Sequence, residues 1–172
     1  MPIYRLGDRV PDIHPDAFVH PEAVVIGSVS VGAESSIWPG TVLRADHAPI
    51  TIGAQTSIQD GTVVHTIPSS PTKVGDRCVV GHMVHLEGCT LEDDCLVGSG
   101  SVVLHRVVVS SWAVVGANAV VNNDGFVPSD AMALGVPYKI RENVSNRDLI
   151  RLSAEQYVRN CHQFKAEMER IG

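Results

Sequence analysis

The sequence predicts an all-β solenoid, in which short strands wind into stacked coils around one column of aliphatic side chains. A six-residue period runs from about residue 13 to residue 127, with one aliphatic residue per unit and, in most units, a small or β-branched residue four positions later. Units this short cannot bury an apolar face alone, so stacking must supply the core. The composition agrees, because 44% of the residues are hydrophobic but only 5% are aromatic, which suits a narrow core.

The aliphatic positions of the repeat fall into four runs, separated by breaks near Pro49, across Pro68 to Pro71, and just before Leu91. They are Ile13, Val19, Val25, Val31, Ile37 and Leu43; Ile52, Ile58 and Val64; Val74, Val80 and Leu86; and Leu91, Val97, Val103, Val109, Val115, Val121 and Val127. An amphipathic helix would need a period of about 3.6 residues, which is absent here. The pattern resembles the left-handed parallel β-helix, in which three hexads form one triangular coil of about 18 residues.

The 172 residues have the length of one domain. We predict an N-terminal cap over residues 1–12, the left-handed β-helix over residues 13–134, and an exit turn with a C-terminal helix over residues 135–172. The helix is expected from Ser145 to about Arg170, with Ser145 and Asp148 as an approximate capping box. Its apolar face comprises Leu149, Leu152, Tyr157 and Phe164. We expect this face to pack along the solenoid or, alternatively, against a neighbouring subunit.

The charge and cysteine patterns narrow the range of partners. Lys and Arg number 13 and Asp and Glu number 19, giving a net charge of −6 without a basic stripe, so we expect no nucleic-acid partner. We see no signal peptide and no apolar run of membrane-spanning length, and therefore expect a cytoplasmic protein with no membrane partner.

Cys78 and Cys95 occupy small positions of the repeat and are expected to be core thiols, a disulfide between them being the alternative.

Three chemically active residues occupy equivalent positions in the repeat. Arg44, His65 and Glu87 each follow the aliphatic residue of a hexad, and the intervals of 21 and 22 residues equal one coil plus the residues inserted at the first two breaks. We therefore expect them to stack on successive coils, about 5 Å apart. His82 is expected on a different edge, and His85 is expected to point away from the column.

The residues around this column resemble the γ-class carbonic anhydrases and their relatives, and the resemblance covers nearly the whole chain. The segments that carry it are Leu43-Arg44-Ala45-Asp46, Ile58-Gln59-Asp60-Gly61 followed by His65, Gly81-His82, Gly88-Cys89, and the exit turn Gly135-Val136-Pro137-Tyr138-Lys139. The hexapeptide repeat by itself is shared with acyltransferases.

The resemblance implies a zinc ion held by three histidines, two from one subunit and one from its neighbour in a homotrimer. His65 and His82 match two of the ligands, and Glu87 stands where the third histidine is expected. Zinc accepts two histidines and a glutamate, so we predict a metal at His65, His82 and Glu87, with iron or another divalent metal as the alternative to zinc. Two other readings stay open: Glu87 pairs with Arg44 or His65 in a metal-free pocket, or His85 supplies the third ligand.

The resemblance also implies supporting roles and an activity. Arg44 and Asp46 match an interface ion pair, with an exposed surface pair as the alternative. Gln59 and Glu87 are the catalytic candidates, and Gln59 would orient the metal-bound water. Asp60 would anchor a ligand. The implied reaction, that of a lyase, is the reversible hydration of CO2 to bicarbonate by a metal-bound hydroxide at a subunit interface. The rival readings are a hexapeptide-repeat acyltransferase, with a histidine as general base, and a non-catalytic metal-binding or assembly scaffold.

Overall fold

The computed structural model describes residues 2–172 and confirms the predicted left-handed parallel β-helix with a C-terminal helix. Met1 of the predicted cap lies outside the described residues. Each full coil contributes one strand to each of three faces, and equivalent strands of successive coils pair in parallel. Every face therefore grows by one strand per coil, which places residues about one coil apart in sequence next to each other.

The first and second faces form one continuous hydrogen-bonded sheet, because two long strands, Val24–Val31 and Val42–Ile52, pass around the edge between them. The remaining strands of the first face are Ile3–Tyr4, Val63–His65, His85–Glu87, Val102–Val103 and Val120–Val121. The second face carries Asp12–Ile13, Thr72–Val74, Thr90–Leu91, Val108–Val109 and Phe126–Val127. The strand Ile3–Tyr4 pairs with Val25 and Ile26, so this part of the predicted cap extends the first face.

The third face is a separate sheet, and the C-terminal helix covers part of it. Its strands are Phe18–Val19, Ser36–Ile37, Ser57–Ile58, Val79–Val80, Leu96–Val97, Val114–Val115, Met132–Leu134 and the antiparallel Lys139–Arg141.

The core is the column that the six-residue period predicts. From Val25 to Val127, the aliphatic positions of the repeat are at most 3% exposed. The small positions also point inward, and the hydroxyls of Thr41 and Thr62 each donate a 2.9 Å hydrogen bond to a backbone carbonyl of the following coil. Cys78 and Cys95 are buried and free, as predicted. Inward-facing hydroxyls thus tie successive coils together where an aliphatic side chain would not fit.

The C-terminal helix runs from Arg147 to Glu167, and its cap and its buried face both differ from the prediction. The N-cap is Asn146, whose side-chain oxygen accepts a 3.1 Å hydrogen bond from the backbone N–H of Leu149, so the expected Ser145 cap was wrong by one residue. Of the expected apolar face, Leu149 and Leu152 are 57% and 54% exposed and were wrong, whereas Tyr157 and Phe164 pack against the solenoid as expected. The fully buried residues of the helix are Ile150, Ala154 and Cys161.

The buried face of the helix follows the shape of the third face. Trp38 and Phe18 stand on that face, and the rings of Tyr157 and Phe164 pack against the indole at centroid distances of 6.1 and 4.9 Å. Cys161, a small residue, fits between the aromatic side chains and the sheet. Within the described part of the chain, no helix has the length and apolar character that crossing a membrane requires.

Candidate functional site

The predicted column of Arg44, His65 and Glu87 is present in the structure. Arg44 is the register partner of His65 on adjacent parallel strands, and His65 is the register partner of Glu87. The residues inserted at the first two breaks are accommodated at the edge between the first and second faces, through the long strand Val42–Ile52 and the bridged turn from Ile67 to Ser70. The strands of the first face that carry Arg44, His65 and Glu87 therefore stay in register with one another.

His65 is the centre of this site, because both of its ring nitrogens face a carboxylate. Nδ1 lies 2.7 Å from Oε1 of Glu87, and Nε2 lies 2.9 Å from Oδ1 of Asp46. The other oxygen of Asp46 pairs with the guanidinium of Arg44 within the same chain. The His65 side chain is only 14% exposed, so these contacts hold the ring between successive coils in a largely desolvated position.

Glu87 has two further imidazoles around it. Nε2 of His85 lies 3.5 Å from its Oε2, and Nε2 of His105 lies 3.1 Å from the same oxygen, at an ion-pair distance but outside hydrogen-bond geometry. Burial alone would raise the pKa of Glu87, but the hydrogen bond from His65, the close approach of the His105 imidazole and the contact with His85 outweigh burial and lower the pKa to about 2. Glu87 is therefore a carboxylate at neutral pH and an available ligand or hydrogen-bond acceptor.

The expectation that His85 points away from the column was wrong. His85 and Glu87 lie two residues apart on the strand His85–Glu87, and alternate residues of a strand share a face. The position of a residue in the hexad does not by itself decide its direction, because the turn begins only after Glu87. The contact between His85 and Glu87 keeps His85 within reach of the site as the alternative ligand.

His82 and its neighbours lie at the opposite edge of the first face, where the chain turns from the third face to the first. Nδ1 of His82 is 3.0 Å from Oδ2 of Asp60, and half of the His82 side chain is exposed. Gln59, next to Asp60, is buried. His82 is five residues before Glu87, a separation on the order of 15 Å along an extended chain. One chain therefore brings His65 and Glu87 together but does not bring His82 to them.

Two histidines that the sequence analysis did not include belong to this region. His47 lies at the edge between the first and second faces, and its ring centroid is 6.1 Å from that of His65. The second is His105, which contacts Glu87. His105 follows Glu87 by 18 residues, but the coil between them is one residue short and pairs Leu86 with Val103, so coil arithmetic leads from Glu87 to Leu104 and not to His105. His47 gave no signal either, because it sits in the insertion where the period is lost.

Asp46, His47 and His65 each offer one ligand atom, and these three atoms lie within 4.8 Å of one another. Burial tends to raise the pKa of Asp46, but hydrogen bonds from His65, from its own backbone and from Arg44 lower it below its ordinary value. The edge therefore combines imidazole nitrogens with ionised carboxylates. This donor chemistry suits a divalent transition metal or a proton-transfer relay.

Comparison with known proteins gives relatives over nearly the whole chain, although no family model matches it. The chain is 39% identical over 159 residues to γ-carbonic anhydrase 2 of Arabidopsis thaliana mitochondria, covering 88% of this chain but only 57% of the length of the plant protein. It is 35% identical over 167 residues to the carnitine operon protein CaiE of Escherichia coli K12, covering 94% of this chain and 85% of CaiE.

A solved structure gives the same result at the level of the fold. The product of the BC4754 gene of Bacillus cereus, described as a candidate acetyltransferase, superimposes with a TM-score of 0.94 at 32% identity, covering 96% of this chain and 98% of that one. Identity over nearly the whole chain and a shared coil architecture lead to one conclusion. The chain belongs to the γ-carbonic-anhydrase-like family of hexapeptide-repeat proteins.

Proposed function

We propose that this protein is a metalloenzyme that forms a homotrimer and catalyses the reversible hydration of CO2 to bicarbonate. The observation that carries the proposal is the position of the candidate ligands. His65 and Glu87 meet at one edge of the first face, and His82 with Asp60 stands at the other edge of the same face. The similarity to a plant γ-carbonic anhydrase supports the reaction class.

The proposed ligands are His65 and Glu87 from one copy and His82 from a neighbouring copy. Two imidazoles and one carboxylate form a donor set that zinc accepts in catalytic sites, and iron or another divalent metal is the alternative. A bound zinc ion would supply Lewis acidity that makes hydroxide available near neutral pH. The lowered pKa of Glu87 supports this set, because a ligating carboxylate must be ionised.

The remaining residues of the site would prepare the ligands and the substrate. Nδ1 of His82 would donate to Asp60, which would leave Nε2 of that ring as the nitrogen that binds the metal. Gln59, adjacent to Asp60, would orient the attacking water by hydrogen bonding. The partly exposed His85 next to Glu87 would connect the site to solvent and is a candidate for carrying a proton outward.

The separation of the ligands along one face supports assembly into a homotrimer. His82 cannot reach the Glu87 edge of its own chain, but a second copy packed against the first face can present its His82 there. Rotational symmetry repeats this contact, and a closed ring of copies leaves none of the contacts unfilled. The C-terminal helix lies on the third face and therefore does not block the first.

Metal content and oligomeric state test this proposal together. We would measure zinc and iron per chain by mass spectrometry for the purified protein and for the Glu87→Ala and His82→Ala variants, with His14→Ala as an exposed histidine control. Sedimentation would give the assembly state, and stopped-flow measurement with a pH indicator would give CO2 hydration. The proposal expects a trimer with about one metal per chain, lost in both variants but not in the control. A monomer, or a wild-type protein that binds no supplied metal, would contradict it.

An acyltransferase is the second candidate, and the similarity to the Bacillus cereus structure favours it. The two readings separate in a calorimetric titration with acetyl-CoA. Saturable binding that survives the Glu87→Ala substitution would support an acyltransferase. If acetyl-CoA does not bind and the metal site is empty, the remaining candidate is a non-catalytic scaffold.

A further inference from the structure

The oxygen of Glu87 that does not contact His65 faces the imidazole of His105. Nε2 of His105 lies 3.1 Å from Oε2 of Glu87, at an ion-pair distance but outside regular hydrogen-bond geometry. This nitrogen is buried, and within residues 2–172 it has no hydrogen-bond partner. A buried ring N–H without a partner is costly, so a small rotation of the ring toward the carboxylate would satisfy both groups.

The short coil that follows Glu87 gives His105 its position. Leu86 pairs with Val103, so the register continues from Glu87 to Leu104. His105 comes one residue later and lies in the turn between the first and second faces. The imidazole therefore approaches the carboxylate from this corner, beside the column of register partners rather than within it.

The turn that carries His105 is tied to the coils on both sides of it. The backbone N–H of Arg106 donates to the carbonyl of Gly88 at 2.7 Å, and the carbonyl of His105 accepts from the N–H of Asp124 at 2.9 Å. Gly88 has no side chain to stand beside the ring, where a Cβ would already contact Cδ2 of His105 at 3.6 Å. Backbone contacts therefore hold the imidazole next to Glu87, and only 26% of the His105 side chain is exposed.

The two oxygens of Glu87 have different surroundings, which suits a carboxylate that binds a metal through one oxygen only. Ligating carboxylates are usually held by hydrogen bonds from groups behind them. Oε1 of Glu87 lies 2.7 Å from Nδ1 of His65, and Oε2 lies on the side of His105. His85 also approaches Oε2, but at 3.5 Å and with 36% of its side chain exposed, so it constrains the carboxylate less.

We propose that His105 is a positioning residue for Glu87: its Nε2–H donates to Oε2 and so presents Oε1 to the metal shared with His65. This inference rests on the intersubunit centre proposed above and deepens it. A glutamate has one more rotatable side-chain bond than the histidine expected at position 87, so fixing its orientation needs an additional contact. His105 supplies that contact through an N–H donor and does not itself bind the metal.

Cobalt(II) titration of the chelator-treated protein, followed by calorimetry and visible absorption, tests this role without an activity measurement. We would compare wild type with His105→Leu, which has no donor, and with His105→Gln, whose amide N–H can replace Nε2–H. His14→Leu is the matched control at an exposed histidine, and circular dichroism and sedimentation would check the fold and assembly of each variant. We expect a loss of about 10- to 100-fold in affinity for His105→Leu, and rescue to within about 5-fold of wild type by His105→Gln. His14→Leu should bind like wild type.

A second background tests whether the effect acts through the carboxylate. Glu87→His removes Oε2, so adding His105→Leu to it should change the cobalt(II) affinity by less than about 3-fold. If His105→Leu binds like wild type, or loses no more affinity than His105→Gln, the positioning role is wrong while the intersubunit centre stands. An equal loss in the Glu87→His background would assign the effect to packing and overturn the role as well. If wild type binds no cobalt(II), the centre itself is wrong and the role of His105 falls with it.

Discussion

His65 and Glu87 are register partners on adjacent parallel strands, and their Nδ1 and Oε1 atoms lie 2.7 Å apart. The same imidazole reaches Asp46 through its other nitrogen, at 2.9 Å. In a solenoid, register partners on successive coils are held about 4.8 Å apart by the backbone ladder, so side chains in one column interact whether or not a ligand is present. The backbone of the repeat thus prepares the site before any metal or second copy takes part.

The charge of Glu87 should matter for stability as well as for ligand binding. Glu87→Gln keeps the size of the side chain but removes the negative charge that three imidazoles face, and we expect a loss of about 1 to 3 kcal/mol in the free energy of unfolding in the metal-free protein. Urea denaturation would measure it, with the exposed Glu22→Gln as the matched control. Equal small effects for the two substitutions would show that the contacts around Glu87 contribute no net stability.

The aliphatic column should be sensitive to truncation at every coil. Leu86, between His85 and Glu87, has no exposed surface, so Leu86→Ala removes buried methyl groups and leaves a cavity in a narrow core. We expect a loss of about 2 to 5 kcal/mol. The 54% exposed Leu152 on the C-terminal helix gives a control, Leu152→Ala, with an expected effect within about 0.5 kcal/mol. Similar losses at both positions would contradict the assigned column.

Gly53 should not tolerate a side chain, because successive coils approach closely at this corner. A Cβ atom there would lie 2.5 Å from the carbonyl carbon of Gly75 on the next coil, which is backbone and cannot rotate away. We expect Gly53→Ala to cost about 1 to 3 kcal/mol, whereas Ala54→Gly, the neighbouring control, should cost less. Thermal unfolding followed by circular dichroism would measure both, and a fully stable Gly53→Ala protein would disprove the close packing.

Docking of the C-terminal helix should weaken in acid through Glu34. Hydrogen bonds from Gln55 and from His162 of the helix lower the pKa of Glu34 below its ordinary value of 4.5. Because the folded-state pKa lies below the unfolded value, the stabilisation is complete above about pH 4.5 and is lost as the pH falls further. For such a partly exposed contact we expect less than about 1 kcal/mol.

A comparison of wild type with Glu34→Gln tests this dependence. Their difference in thermal midpoint should be larger at pH 5.5 than at pH 3.5, because protonated Glu34 and glutamine carry the same charge. The exposed Glu169→Gln should show no such change between the two pH values. A constant difference between wild type and Glu34→Gln would contradict the assignment.

The errors of the sequence analysis have local physical causes. The direction of His85 was wrong because strand alternation, rather than hexad position, sets side-chain direction between the last core residue and the turn. The helix face was wrong at Leu149 and Leu152 because several apolar spacings fit one helix, and only contact with Trp38 and Phe18 on the third face selects Cys161 over Leu152. His47 was missed because it lies in an insertion, where periodicity carries no information.

The sequence alone determined the solenoid, its aliphatic column and the stacking of Arg44, His65 and Glu87. A six-residue period with counted insertions is one-dimensional information, and a solenoid converts separation in sequence directly into height along one axis. Only the tertiary structure decided which side chains meet around the column. The approach of His105 to Glu87, the grouping of Asp46 and His47 with His65, and the separation of His82 at the far edge depend on how each turn bends around a corner. Those bends are set by packing between coils, which no single repeat encodes.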